Sequence, residues 1–288
     1  MKQFLISSFQ HMKWDVRSGL RENKMKFLVC VLLYSFIGFG ILRLYRTYET
    51  LVDDPGTAGF VDLWIYAFGG FPQIFIGQQF IAPLNWLGAQ MMIAWIIGDH
   101  INRDMENEGL QYLIRSHKKS EWLLGKVGYC VVMVLLFYGI AFCTLFVFSC
   151  LFLTPGFSIN HGLCSFIVSI FPEWETQASL WIGLVLLPIL TSIVISVGQM
   201  VLSLFVKPVY AFFTVLVYMI MSAYTTSYWV LGCYSMLARK FTQVRMMADE
   251  TLSCIEQPYA ILIEIGLLVI LWIIGNVRLR KFDFLQER

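Results

Sequence analysis

Charge is what this sequence has least of. Only 14% of its 288 residues are Asp, Glu, Lys or Arg, against 58% hydrophobic residues, whereas soluble domains carry roughly 25% charged residues. Two tracts, Leu63–Gly98 and Val127–Pro172, have no formal charge at all. Uncharged apolar runs of about 20 residues read as membrane-spanning helices, so a soluble domain is excluded. Catalytic signatures are missing too. There is no H-E-x-x-H and no G-x-S-x-G, and His11, His100, His117 and His161 are scattered. Gly125-Lys126 has Ser120 where a phosphate loop needs its first glycine, and Val127 where it needs Ser or Thr. The chain is therefore expected to be no enzyme and to hold no ATP, metal or other cofactor of its own. The seven cysteines form no C-x-x-C pair, which argues against a zinc or dithiol site. Cys30, Cys130, Cys143 and Cys150 lie in apolar runs and read as small core residues. No basic patch is interleaved with aromatics, so nucleic acid is set aside as a partner. No small-x-small cleavage site follows the first apolar run at Met25, so that run is expected to remain as a signal anchor.

What is present is an ordered alternation of apolar and polar stretches, expected to fold as an all-α membrane protein with six transmembrane helices. Residues 1–24 read as an interfacial amphipathic helix. Phe4, Leu5, Phe9, Met12, Val16 and Leu20 recur at helical spacing on one side, and Lys13, Arg17 and Arg21 fall on the other, with Trp14 suited to headgroup depth. The six-span domain covers 25–276. Its spans are expected at Met25–Leu42, Phe80–Gly98, Val127–Leu153, Leu180–Phe205, Val209–Leu231 and Tyr259–Asn276. Phe60–Ile76, broken by Gly69, Gly70 and Pro72, reads as an outer helix or re-entrant piece. Residues 233–258 form a long polar outer loop, and 277–288 a tail. With both termini inside, every lysine and arginine except Arg43, Arg46, Arg239, Lys240 and Arg245 is cytosolic, which satisfies the positive-inside bias.

The segment Asp99–Lys126 is the one long charge-dense run between two uncharged tracts, so it must stand in water. Within it Ile101–Arg115 has helical amphipathicity and would be about 22 Å long. Ile101, Met105, Leu110, Leu113 and Ile114 can face the bilayer, and Asp104, Glu106, Asn107, Glu108 and Gln111 face water.

The run RDMENEGLQYLIRSHKKSEWLLGK resembles the segment of ABC type-2 export permeases written E-R-E-x-G-T-L-x-x-L-x-x-x-P-x-S-R-x-x-x-L-L-G-K. Glu106, Glu108, Gly109, Leu110, Leu113, Leu123, Leu124, Gly125 and Lys126 carry the match. The layout agrees: an amphipathic N-terminal helix, six spans, a very short turn between spans four and five, and a long outer loop before span six. The resemblance implies the membrane subunit of an ATP-driven exporter in a bacterial plasma membrane. It implies a cytosolic coupling loop at 99–126, in which Asp104, Glu106, Glu108, Gly109, Leu110, Leu113 and Arg115 meet a separate ABC ATP-binding subunit that holds ATP and Mg. It also implies a second permease copy or a paralogue beside it in the lipid bilayer. The alternatives left open are a non-transporting scaffold or immunity protein, and an ATP-independent carrier.

Glu264 is the one formal charge well inside a span. It is expected to face the bundle, be protonated or pair, either as part of the substrate path or a subunit contact, or as a protonated glutamate hydrogen-bonded to a neighbouring helix. Ser222, Thr225 and Thr226 offer a hydroxyl-rich patch near the end of the fifth span that could line the same path. Cys233 and Cys254 share the outer loop, where a disulfide between them is open to formation.

Overall fold

The apolar tracts fold as helices because, without water, only a helix satisfies its own backbone within one segment. The computed structural model describes residues 2–71, 84–98, 119–168, 177–239, 243–245, 250–252 and 255–281. In chain order the helices are α1 (Lys2–Glu22), α2 (Lys24–Leu51), α3 (Phe60–Phe68), α4 (Leu84–Ile97), α5 (Lys119–Phe152) and α6 (His161–Val168). Next comes α7, in which Gln177–Trp181, a π-helical stretch Ile182–Leu186 and Leu187–Leu202 follow one another without a break. α8 (Pro208–Met221) and α9 (Gln257–Lys281) complete the set. Between them lie two 3-10 turns, Leu231–Ser235 and Leu237–Arg239. A short antiparallel ladder departs from the all-α pattern and pairs Gln243 with Leu252 and Arg245 with Glu250. Among the described residues four helices are long and apolar enough to cross a membrane: Lys24–Leu51, Lys119–Phe152, Ser179–Leu202 and Gln257–Arg280. α4 and α8 are apolar but shorter.

α5 is the axis of the bundle. Tyr129, Met133, Phe137, Ala141, Leu145 and Phe148 recur at intervals of three and four and are all buried. The ring of Phe137 lies 5.7 Å from Tyr34 of α2, and Tyr138 lies 5.1 Å from Phe68 of α3. Phe148, eleven residues further on, meets Phe39 at 5.1 Å, so α2 and α5 run in the same sense.

Long-range hydrogen bonds gather the helix ends at two poles. At one, Lys26 donates to the Trp95 carbonyl of α4 at 2.7 Å, Lys119 to the Leu279 carbonyl of α9 at 2.8 Å, and Arg278 to the Leu204 carbonyl beyond α7 at 3.3 Å. At the other, Trp86 at the start of α4 donates to Ser235 at 2.9 Å, and Gln257 at the start of α9 to the Ser179 carbonyl at 2.9 Å. The helices therefore shuttle between a basic pole and an opposite one.

Several sequence expectations change here. α2 runs on to Leu51 rather than ending at Leu42, because Ile41 and Tyr48 continue its buried stripe. Lys119–Lys126 form the first turns of α5. The helix expected as the fifth span stops at Met221, not Leu231: past it, Ser, Thr and aromatic residues offer the backbone local alternatives to a helix. The polar loop expected from Cys233 begins inside the protein, with Cys233, Tyr234, Met236, Leu237 and Arg239 buried.

α1 shows the largest change. Its buried side is the polar one: Ser8, Asp15 and Gly19 face α5, and Asp15 pairs with the buried Lys126 at 2.7 Å. Glycine permits the approach. A Cβ on Gly19 would stand 2.6 Å from Met133 and Tyr129, and one on Gly128 would stand 2.6 Å from Met12. Phe9 and Leu20, expected on the side opposite Lys13, Arg17 and Arg21, share one exposed arc with them.

A polar seam as the candidate functional site

Beyond Pro188 the polar residues of the apolar α7 fall at Thr191, Ser192, Ser196, Gln199 and, just past the helix, Ser203. At 100° per residue they share one face, and all five are buried. Gln90 of α4, Tyr138 of α5 and Glu264 of α9 meet this face, also buried. The Thr191 hydroxyl donates to a Glu264 carboxyl oxygen. Ser192 Oγ lies 2.8 Å from the Pro188 carbonyl, 3.2 Å from Gln90 Oε1 and 3.0 Å from the Tyr138 hydroxyl, which itself is 3.1 Å from the Pro188 carbonyl. Two hydroxyl hydrogens thus serve more acceptors than they can fill at once, and the cluster can reorient. Toward the basic pole, Gln199 donates to the Ala94 carbonyl at 3.0 Å. Its Oε1, and Ser196 Oγ, have no hydrogen-bond partner among the described residues. Leaving such groups dry costs on the order of 1–3 kcal/mol each.

The π-helical stretch belongs to the same construction. In a regular helix the Leu184 carbonyl would accept from residue 188, but that residue is proline and has no N–H. Trp64 Nε1 from α3 donates to it instead, at 3.0 Å. Two crevices reach the seam. One lies between α4 and α8 and is lined by Leu87, Gln90, Met91, Phe212, Leu216 and Met219. The other is lined by Ile97, Gly98, Tyr129, Cys130, Gln199 and Ser203.

Of the path residues read from sequence, only Glu264 lies in this seam. Ser222, Thr225 and Thr226 sit past the end of α8 around the buried Arg239. Arg239 donates to Thr226 Oγ1 at 2.8 Å and to the Ser222 and Ala223 carbonyls at 3.2 and 2.9 Å. This patch caps a helix, and no hydrogen bond links it to Glu264 among the described residues. Cys233 is a buried free thiol directed at the Thr225 carbonyl, 2.9 Å away. Cys254 lies outside the described residues, as do Asp104, Glu106, Glu108, Gly109, Leu110, Leu113 and Arg115. The α7 stripe was missed in sequence, although Thr-Ser, Ser and Gln at helical spacing in an apolar run were a legible signal.

At the opposite pole Asp62 joins two loops. Its carboxyl accepts the Gly59 N–H at 2.9 Å and the Asn160 N–H at 3.1 Å, while Asn160 Nδ2 donates to the Pro55 carbonyl at 2.6 Å. Burial pushes Asp62 from an ordinary 3.8 up to about 6, against the opposing pull of the two amide donors. A carboxyl raised on folding is bound more tightly by protons in the native state. Its stabilising effect is full below about pH 4 and is lost as pH rises through about 6. Asp62→Asn should flatten this dependence by up to roughly 3 kcal/mol. Melting curves of both proteins in detergent from pH 4 to 7 provide the check, and parallel curves would refute it.

These features define a helical membrane protein with a polar interior. The chain belongs to the family described as Protein of unknown function (DUF2705), whose model matches residues 27–285. No curated protein and no solved structure matches it.

Proposed function

We propose that this protein is the membrane-spanning permease subunit of an ATP-driven exporter in a bacterial plasma membrane. The observation that carries the proposal is the polar seam, shared by α4, α5, α7 and α9 inside a bundle whose outer surface is apolar. Buried unpartnered acceptors are costly in lipid, and such groups mark substrate paths. In this reading α4 and α8 also cross, giving six spans. The basic pole is cytosolic by the positive-inside rule, and both termini lie there. The 99–126 segment, which follows α4 and includes the first turns of α5 at that pole, couples to a separate ATP-binding subunit that supplies ATP and Mg, and a second permease copy or paralogue completes the assembly. The hydrogen bond from Thr191 to Glu264 favours a second reading, a non-transporting scaffold or immunity protein in which the carboxyl merely ties two helices.

The test is ATP hydrolysis by the protein expressed with its genomic neighbours and reconstituted in liposomes. Leu113→Asp should lower coupled hydrolysis by at least roughly tenfold and Glu106→Ala by much less, because apolar anchors dominate interface energies. Wild-type protein that retains no ATPase would sink the exporter reading. Intact hydrolysis and transport in Leu113→Asp would sink the coupling role of the segment alone.

A further inference from the structure

α1 buries its polar side and leaves a basic, aromatic one uncovered. Phe9, Trp14 and Leu20 are 60%, 50% and 38% exposed. Between them on the helical wheel stand Lys13, Arg17, Arg21 and Lys24, all exposed. Spacings of four, four and three residues stack these cations along one line. No acidic residue shares the arc. Asp15 points the other way into its pair with Lys126, and Glu22 accepts from Ser18 at 2.9 Å. Among the described residues none of the four cations has a carboxylate partner.

The surroundings say what covers this face. The helical path is continuous through Asn23, whose N–H donates to the Gly19 carbonyl at 2.9 Å and whose carbonyl accepts from Phe27 at 3.0 Å. Directly beyond, α2 exposes Met25, Leu28, Leu32 and Phe36, the apolar surface of a helix long enough to cross a bilayer. The change from basic to apolar surface thus falls at Lys24, where a bilayer changes from headgroup to acyl chain. Apolar side chains flanking a basic line are the pattern of a helix that enters the headgroup boundary with its charges on phosphates.

We propose that this face of α1 is a docking surface for anionic lipid headgroups at the edge of the bilayer. Lys13, Arg17, Arg21 and Lys24 meet the phosphates, and Phe9, Trp14 and Leu20 enter the acyl boundary. The site rests on α2 crossing a membrane and is independent of whether the protein exports anything. Because the other side of α1 is tied to Lys126, headgroup occupancy bears directly on the first turns of α5.

The experiment uses the full chain in nanodiscs of mixed phosphatidylcholine and phosphatidylglycerol, with the lipids that stay bound after extraction counted by native mass spectrometry. Wild type should retain phosphatidylglycerol over phosphatidylcholine by at least roughly tenfold, given the attraction of several basic residues to an anionic surface. The preference should shrink in about 1 M salt, and inorganic phosphate should not displace the lipid. Replacing the four cations by Gln should bring the ratio near unity while the melting temperature in pure phosphatidylcholine is unchanged; Lys13→Arg with Lys24→Arg should keep the preference. Should the fourfold variant fold poorly, Lys13→Gln with Arg17→Gln should give an intermediate ratio. An unselective wild type, or a fourfold variant as selective as wild type, overturns the proposal. So does a variant that keeps its lipids but loses binding to an acidic soluble protein, which would make the stripe a protein-docking face.

Discussion

Lys126→Met is expected to destabilise the protein by roughly 3–5 kcal/mol, the usual cost of removing one partner of a buried ion pair. Lys126 is fully buried, its ammonium 2.7 Å from Asp15 and 5.3 Å from the centre of the Trp122 ring. Methionine fills a similar volume but removes the counter-charge of the buried Asp15 carboxylate. The pair itself is not expected to be worth that much. Much of its Coulomb energy is offset by desolvation of both ions, so Asp15→Leu combined with Lys126→Met should recover most of the loss. The checks are melting temperature in detergent and hydrogen exchange of residues 8–22. Since α1 meets α5 through this pair and two close glycine contacts, the single variant should expose α1 amides first. A single variant that melts with wild type, or a double variant no better than the single, would show that α1 is held by something else.

Arg239→Met should cost roughly 2–4 kcal/mol and loosen the end of α8. The guanidinium closes the turn just past α8: the Met219, Ile220 and Met221 carbonyls accept from the Ser222, Ala223 and Tyr224 N–H groups, and the next two carbonyls accept from Arg239. Its donors serve the Ser222 and Ala223 carbonyls and the Thr226 hydroxyl, and it lies 5.5 Å from the centre of the Phe71 ring. Burial pulls it down to about 10, which leaves it charged at neutral pH. Methionine removes three hydrogen bonds to a charged donor, each worth about 1.5–3 kcal/mol before the relief of desolvating the charge is counted. Arg239→Lys should restore only part of the loss, because one ammonium cannot span the three acceptors as the planar fork does. Exchange at residues 222–232 should rise in both variants, most in Met. Unchanged exchange in Arg239→Met would refute the capping role.

Some of this was legible in the chain and some was not, for reasons visible at particular residues. Both uncharged tracts form helices, since helix formation in an apolar run depends on local backbone chemistry alone; 127–172 holds most of α5, long enough to cross a membrane, whereas 63–98 holds only the shorter α4 and part of α3 among the described residues. Glu264 stood out because a carboxylate among aliphatics has few explanations, and it does face the bundle. The stripe on α7 was readable by the same logic. The fifth span was expected to run to Leu231 and α8 stops at Met221, because hydroxyls next to an apolar helix suit both a helix face and its end. Arg239, which settles that choice, lies 17 residues from Ser222.

For this protein the sequence by itself determined the class, the placement of most helices and the basic character of one pole. These follow from composition and spacing, which are local. The tertiary structure alone decided which side of each helix is inside. In a membrane chain the lipid-facing and the packed faces are both apolar, so periodicity loses the contrast that water provides. Hence α1 could turn its polar face to the protein, where Asp15 found Lys126 across 111 residues, and leave its basic line, Phe9 and Trp14 facing outward. That choice was set by complementary charge and by the close approach that glycines at 19 and 128 allow, neither of which any single stretch of sequence records.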